Sequence, residues 1–190
     1  MTQVLDPVRI PQRRRTRTVH TLGPAGTDAH AEASRLFDHV AVADSFDAAV
    51  RDARESGDLA LVAAGFVQKA GNRVVDLWVD LHFRNLGLME LAQVWESPTK
   101  PMCLATRPGT SSVDTIALHP ATEAFADRLV PTARRQYVDA KPLAVRMAAE
   151  GLVDACIGSV DVAVACGLTV RSQFQPSMVW CLYKPCQQAS

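Results

Sequence analysis

The stretch VHTLGPAGT, residues 19–27, joins a short apolar run to a Gly-Pro turn and then to a threonine. Thr27 is a good N-cap, and the acidic residues Asp28 and Glu32 fall in the first turns of the segment that follows, where they suit the positive end of a helix. The stretch therefore predicts a strand, a glycine-containing turn and a helix over residues 28–37.

The same alternation of strand, turn and helix continues along the chain. Predicted strands cover 40–43, 59–64, 89–95, 101–106, 115–118, 135–138, 153–157 and 179–183, and predicted helices cover 45–56, 119–129, 142–150 and 159–165. Residues 65–87 show no clear pattern. Such alternation favours an α/β fold with largely parallel sheets, whose ligands bind at the carboxyl ends of the strands.

Composition argues against several classes of function. The chain of 190 residues carries 20 basic and 20 acidic side chains, so bulk charge gives no case for nucleic acid or an anionic membrane as partner. No apolar run reaches the roughly 20 residues of a membrane-spanning helix, and no secretory signal is evident. Five cysteines without metal-binding spacing predict reduced thiols in a cytoplasmic protein that uses no metal and no cofactor.

The N-terminal segment differs from the rest of the chain. Residues 1–17 include the basic run Arg13-Arg14-Arg15 and little that could be buried. We therefore predict a disordered basic arm over residues 1–17.

Several strand-to-helix turns carry small or capping residues. They lie at Thr27, at His119, at Lys141 and at Ser159. Helix N-termini gathered at one sheet edge would bind an anion, although ordinary capping explains the same residues. Lys141 faces the positive end of a helix, which costs about 0.3–1 kcal/mol unless an anion offsets it. A solvent-facing, screened lysine is the alternative.

Taken in order, these landmarks resemble the prephenate dehydratases. That family opens with LGPxGT before a helix, as residues 22–27 do here, and SFDAAV at residues 45–50 sits where it has its second helix. His119-Pro120 resembles its serine-histidine-proline helix start, and ACIGS at residues 155–159 with CGL at 166–168 resembles its AAIAS and YGL. The resemblance covers about residues 19–185 and is weak between 65 and 95.

The resemblance implies an α/β fold of two lobes with mixed, mostly parallel sheets, joined by crossing strands as in type II periplasmic binding proteins. Lobe 1 would span residues 18–100 with a return strand in 179–190, and lobe 2 would span residues 101–178. The ligand would lie between the lobes, and the last strand would return beside residues 101–106. No amino-acid-binding domain follows Ser190, so we expect no response to phenylalanine. A homodimer is left open.

The sequence departs from the dehydratases where their chemistry resides. Hydroxide is a poor leaving group and needs a proton donor, which the family supplies from a Thr-Arg-Phe motif in the last strand. Met178-Val179-Trp180 stands there in this chain. In addition, Ala63–Val67 stands where the dehydratases have a segment that contains proline, glutamate and asparagine. Ala140-Lys141 stands where they have Ser-Thr.

In these departures the chain resembles the stand-alone prephenate decarboxylases of bacilysin-type antibiotic pathways. Those enzymes share its Met-x-Trp pattern, its His-Phe pair at His82-Phe83 and its Arg-Pro pair at Arg107-Pro108. Those enzymes release carbon dioxide, protonate a ring carbon and keep the hydroxyl. The resemblance implies a carboxy-lyase that converts prephenate to a non-aromatic dihydro-4-hydroxyphenylpyruvate. Two alternatives stay open, namely a dehydratase that gives phenylpyruvate and a non-catalytic module that binds a small carboxylic acid.

The resemblance also implies the site residues. Helix N-termini at Thr27, His119 and Ser159 would hold the pyruvyl tail of prephenate or an analogue. The ring carboxylate would lie in a drier region near Met178 and Trp180. The candidate catalytic residues, as proton donors besides water, are His82, His119 and Lys141. The candidate substrate-binding residues are Thr21, Gly26, Thr27, Ala64, His119, Lys141, Ser159, Met178 and Trp180.

Overall fold

The computed structural model describes residues 15–70 and 73–186. Its strands are β1 (Arg15–Leu22), β2 (Phe37–Ala43), β3 (Leu59–Ala63), β4 (Val67–Ala70), β5 (Arg73–Leu77), β6 (Met89–Pro98), β7 (Met102–Thr106), β8 (Thr115–Leu118), β9 (Arg134–Tyr137), β10 (Ala155–Ser159), β11 (Thr169–Phe174) and β12 (Ser177–Pro185). Its α-helices are α1 (Asp28–Leu36), α2 (Phe46–Ser56), α3 (Trp78–Arg84), α4 (Glu123–Leu129), α5 (Lys141–Ala149) and α6 (Val160–Ala165).

The chain divides into two compact units. Unit 1 comprises Met1–Phe66, Asp76–Ser97 and Ser177–Ser190, and unit 2 comprises Val67–Val75 and Pro98–Pro176. Most of the predicted arm, residues 1–14, lies outside the described residues, and β1 already begins at Arg15.

Unit 1 is built on a five-stranded sheet, sheet 1, in the order β2-β1-β3-β12-β6. β1 pairs in parallel with β2 and β3, whereas β12 is antiparallel to β3 and places Trp180 opposite Ala63. The expectation that the last strand returns beside residues 101–106 is therefore wrong. β12 instead lies between β3 and β6, where four of its residues are almost fully buried, namely Trp180, Cys181, Leu182 and Tyr183.

Two helices of unit 1, α1 and α2, start where the sequence predicts, whereas α3 lies in the stretch 65–87 for which no element was predicted. The Thr27 hydroxyl accepts a hydrogen bond from the main-chain N–H of His30 at 3.2 Å, and the Ser45 hydroxyl accepts one from Ala48 at 3.0 Å. α2 ends at Gly57, whose φ of 76° lies in the left-handed region that glycine adopts without strain. All five residues of β3 are buried, which is typical of a strand covered on both faces.

Unit 2 is built on a second five-stranded sheet, sheet 2, in the order β11-β7-β10-β8-β9. β8 is parallel to β9 and β10, while β7 is antiparallel to β10 and β11. The sheets are therefore mixed, and sheet 2 has two parallel and two antiparallel strand pairs rather than mostly parallel ones. β11 was absent from the sequence-based prediction, and it occupies the position beside β7 that we had expected the last strand to take.

Alternate residues of β7 enter two different apolar clusters. Cys103 and Ala105 pack with residues of α5 and α6, whereas Met102 and Leu104 pack with Ala126 of α4. Because successive side chains of a strand point to opposite faces, sheet 2 is covered by helices on both faces. Among the described residues, no helix combines the length and the apolar character that a membrane span requires.

Candidate functional site

Three of the predicted site residues lie at one edge of sheet 2. His119 follows β8, Ser159 ends β10, and Lys141 begins α5, the helix after β9. β9 and β10 are both parallel neighbours of β8, and neighbouring strands lie about 4.8 Å apart. The carboxyl ends of these strands therefore bring the three residues to the same edge.

Gly158 allows α5 to pack directly on β10. A Cβ atom at this position would lie 2.3 Å from Val145 Cγ2 and 3.8 Å from the carbonyl oxygen of Lys141. Side chains do not approach that closely, so a larger residue would displace α5 from the sheet. The glycine thus holds the first residue of α5 beside the end of β10.

The protonation of His119 follows from its hydrogen bond. His119 is the N-cap of the 3-10 turn Pro120–Thr122, and its Nδ1 atom accepts a hydrogen bond from the main-chain N–H of Ala121 at 3.2 Å. A ring nitrogen that accepts carries no proton, so the proton of the neutral ring resides on Nε2. The half-buried His119 can therefore donate through Nε2–H.

Lys141 lies at a helix start that favours an anion. α5 has no acidic residue in its first turn, and its N-cap, Ala140, has no side chain that could cap it. The positive potential at the start of α5 and that of the half-buried Lys141 ammonium group therefore add, and both favour a bound anion.

Ser159 is less suited to an anion than we expected. It is the N-cap of α6, but its side chain makes no capping hydrogen bond to a main-chain N–H of the helix. Instead, its hydrogen bond to Asp161 is the first cause that lowers the pKa of that carboxyl. A charged carboxylate beside Ser159 would repel an anionic ligand, so His119 and Lys141 are the stronger candidates at this edge.

In unit 1, the turn after β1 carries Gly26 and Thr27. The Thr27 hydroxyl donates a hydrogen bond to the carbonyl of Leu22 at 3.1 Å and accepts one from His30 as it caps α1. Its donor and its acceptor are therefore both used within the protein. Gly26 has a φ of 92°, which requires glycine. Thr21 is fully buried and donates to the carbonyl of Leu61 at 2.8 Å, so its side chain joins β1 to β3 rather than facing solvent.

Met178 and Trp180 lie two positions apart on β12 and therefore point to the same face. The Met178 sulfur lies 3.4 Å from where a Cβ on Gly65 would stand, and the main-chain N–H of Ala64 donates to the carbonyl of Val179 at 2.9 Å. Trp180 is 2% exposed, and its indole Nε1 finds no hydrogen-bond partner among the described residues. This face of β12 therefore combines the Met178 thioether with the Trp180 N–H group, which has no hydrogen-bond partner among the described residues.

His82 lies elsewhere in unit 1. Its Nδ1 atom is 3.1 Å from the Tyr183 hydroxyl, and its ring stacks on Trp78 at a centroid distance of 5.4 Å. Burial raises the pKa of Tyr183 to about 12. Tyr183 faces the opposite side of β12 from Met178 and is about 16 Å further along the strand. The structure therefore does not bring His82 together with Met178 and Trp180.

Sequence reasoning missed this aromatic cluster of Trp78, His82 and Tyr183. The signal available was the four-residue spacing of Trp78 and His82, which places both on one side of a helix. The contact with Tyr183, 101 positions away, left no trace in the sequence.

An open polar depression with a volume of about 370 Å³ lies at the other edge of sheet 2. It is lined by residues 107–112 and Asp154, which follow β7 and precede β10. Arg107 Nη1 donates to the carbonyls of Ala148 at 3.0 Å and Val153 at 3.4 Å. Arg107 thus fixes the end of α5, away from His119 and Lys141. Within the described part of the chain, no cluster of three or more His, Cys, Asp or Glu side chains is arranged to hold a metal ion.

Comparison with solved structures identifies the fold. It resembles the prephenate dehydratase of Arthrobacter aurescens, solved in complex with L-Phe, with a TM-score of 0.59 and 17% identity over 90% of this chain and 61% of that one. It also resembles the Staphylococcus aureus prephenate dehydratase (TM-score 0.55, 12% identity, 90% of this chain and 68% of that one). A third similar structure is GqqA, described as a novel type of quorum quenching acylase (TM-score 0.51, 16% identity, 91% and 66%).

These likenesses confirm the predicted α/β fold of the prephenate dehydratase type. At such identities they establish the fold alone, and this chain spans less than two thirds of the Arthrobacter protein. No protein-family model and no curated protein matches the sequence.

Proposed function

We propose that this protein is a carboxy-lyase that removes carbon dioxide from prephenate and leaves a non-aromatic dihydro-4-hydroxyphenylpyruvate. One observation carries the proposal. Where the dehydratases have the threonine of Thr-Arg-Phe, this chain has Met178, whose sulfur packs beside Gly65. A thioether cannot protonate a departing hydroxide, so the ring hydroxyl stays on the product.

The proposed reaction balances with one proton. The bond between the ring carbon and its carboxylate breaks, and carbon dioxide leaves as a neutral molecule. The electron pair of that bond passes into the ring diene, and a ring carbon takes up one proton. The apolar side chains of Met178 and Trp180 would disfavour the charged carboxylate relative to neutral carbon dioxide.

His119 and Lys141 are the residues that we propose for the pyruvyl carboxylate and for the proton. Both lie at the carboxyl edge of sheet 2, and each offers a donor to a carboxylate, one through Nε2–H and one through its ammonium group. We do not propose His82 for the proton, because it contacts Tyr183, which faces the opposite side of β12 from Met178. The other proposed substrate contacts are made through main-chain groups, by Gly26, Thr27, Ala64 and Ser159.

The resemblance to stand-alone decarboxylases extends the proposal to the setting of the reaction. Those enzymes serve antibiotic-type pathways, so we propose a specialised pathway and a cytoplasmic location for this protein as well.

A matched pair of variants tests the role of Met178. Met178→Thr places a hydroxyl on the face of β12 that carries Trp180, whereas Val179→Thr places one on the opposite face. We expect Met178→Thr to form some phenylpyruvate from prephenate and Val179→Thr to form none above the enzyme-free rate. Phenylpyruvate formed by the unmodified protein would support a dehydratase. Unchanged prephenate together with a raised thermal midpoint would support a binding module.

A further inference from the structure

A hydrogen bond between Tyr137 and Glu123 lies beside the turn that carries His119, and the proposed reaction does not use it. The Tyr137 hydroxyl donates to Oε1 of Glu123 at 2.5 Å, a length typical of a hydrogen bond to a charged carboxylate. The same hydrogen bond is the first cause that raises the pKa of Tyr137. The phenol therefore keeps its proton and remains a donor at neutral pH.

Both partners of this hydrogen bond are neighbours of the His119 turn. Tyr137 ends β9 and pairs with Leu118, the last residue of β8, which immediately precedes His119. Glu123 is the first residue of α4 and directly follows the 3-10 turn Pro120–Thr122 that His119 caps. The hydrogen bond therefore ties the strand beside the start of the turn to the helix at its end.

The segment between these two anchors is short and internally bonded. At its start, the carbonyl of Leu118 accepts a hydrogen bond from the main-chain N–H of Val138 at 3.1 Å. Within it, the His119 carbonyl accepts from the Thr122 main-chain N–H at 2.9 Å and from the Thr122 hydroxyl at 2.7 Å. The His119 ring depends on the same turn, because its Nδ1 atom accepts from the Ala121 N–H. Loss of the anchor at the start of α4 would loosen the turn and weaken this bond to Nδ1.

We propose that Tyr137 is a positioning residue, whose hydrogen bond to Glu123 holds the turn in the geometry that keeps the His119 proton on Nε2. The inference rests on the proposed function, in which His119 acts through Nε2–H. Tyr137 acts through His119 and needs no contact with prephenate. A contact that served stability alone would change the free energy of unfolding but not the tautomer of His119.

Nitrogen NMR of the histidine rings tests the proposal without prephenate. At about pH 8 an imidazole is mostly neutral, so its signals report the tautomer, and their loss in His119→Gln assigns those of His119. We expect the Nε2–H tautomer in the unmodified protein and a mixture of both tautomers in Tyr137→Phe. Tyr183→Phe removes the hydroxyl of the second of the two tyrosines, which lies in unit 1, and should leave the His119 signals unchanged.

Two changes at Glu123 separate the effect of the hydrogen bond from that of the charge. Glu123→Gln keeps an oxygen that can accept from the Tyr137 hydroxyl, so it should retain the Nε2–H tautomer. Glu123→Ala removes the acceptor and should reproduce the effect of Tyr137→Phe. The double variant should add little to either single change, because both remove the same hydrogen bond. Glu123→Ala also carries the test if Tyr137→Phe does not fold.

Turnover of prephenate is the second readout. Tyr137→Phe should lower kcat/KM roughly twofold to tenfold, the range for loss of one hydrogen bond. An unchanged His119 tautomer in Tyr137→Phe and Glu123→Ala would overturn the proposal, as would a tautomer shift that leaves the turnover of an active enzyme unchanged. If the unmodified protein does not react with prephenate, the proposed function fails, and the tautomer measurement still decides whether Tyr137 positions His119.

Discussion

The Nδ1 atom of His82 lies 3.1 Å from the hydroxyl oxygen of Tyr183, and this contact fixes α3 at the end of β12 that is remote from Met178. Tyr183 is 1% exposed, so the partner of His82 is held in the core of unit 1. A histidine anchored there stabilises the packing of α3 on sheet 1. The contact holds His82 beside Tyr183, which faces the opposite side of β12 from Met178 and Trp180.

His82→Ala should therefore lower stability but leave turnover of prephenate close to that of the unmodified protein. Loss of the hydrogen bond to the buried Tyr183 hydroxyl should cost about 1–3 kcal/mol of unfolding free energy. His119→Ala is the comparison, and it should reduce turnover at least tenfold with a smaller effect on stability. Urea unfolding and initial rates measure the two effects. A His82 variant that is fully stable but inactive would return His82 to the site.

Local signals in the sequence accounted for much of the fold. Thr27 and Ser45 accept the predicted capping hydrogen bonds, and Gly57 ends α2 in the left-handed conformation. These features depend on residues within a few positions of each other, which is why they could be predicted.

The errors came from contacts between distant residues. β11 has no buried residue, so its alternation of exposed and half-buried side chains carried little hydrophobic signal. The family resemblance, not a pattern in the sequence, had placed the last strand beside β7, where β11 lies. α3 has no side-chain cap, and its contact with Tyr183 crosses 101 positions. The likeness of His82-Phe83 to a family motif could not reveal where the histidine points.

Glu32 should make stability fall in acid. Burial by itself would raise the pKa of Glu32, but hydrogen bonds from Arg35 and from the Trp95 indole, which lies 2.6 Å away, outweigh burial and lower it. A carboxyl with a lowered folded pKa contributes stability above its unfolded value of about 4.3 and loses it as pH falls through the folded value.

Glu32→Gln should therefore be less stable than the unmodified protein at neutral pH, by about 1–3 kcal/mol. The difference should shrink as pH falls from the unfolded value of about 4.3 through the lowered folded value, where the native carboxyl becomes protonated. Urea unfolding across this pH range measures it, and Glu55→Gln, at an exposed position of α2, should follow the unmodified protein throughout. A pH-independent difference would show that the charge of Glu32 is not what stabilises the fold.

Gly158→Ala should destabilise unit 2 through a direct clash. The added methyl group would stand 2.3 Å from Val145 Cγ2, and overpacking of this kind costs about 1–3 kcal/mol. Val145→Ala removes the clashing atom, so the double variant should be more stable than the sum of the two single effects predicts. Strictly additive unfolding free energies would mean that α5 does not rest on Gly158.

Lys141→Met should weaken prephenate binding without harming the fold. The substitution removes a cation from the positive end of α5, so unfolding free energy should stay the same or rise by about 0.3–1 kcal/mol. Loss of a charge-assisted contact of about 1.5–3 kcal/mol should weaken affinity at least tenfold. Calorimetry measures binding, and Arg146→Met on the same helix is the control. A destabilised Lys141 variant with unchanged affinity would remove Lys141 from the site.

The central claim is that the ring hydroxyl of prephenate survives the reaction because Met178 stands where a dehydratase has its proton donor. Proton NMR of prephenate incubated with the purified protein tests this claim most directly. We predict that the ring signals change to those of a cyclohexadiene that has lost its carboxylate and keeps the hydrogen beside the hydroxyl, with no aromatic signals above the enzyme-free control. Aromatic signals of phenylpyruvate that grow faster than in that control would contradict the account.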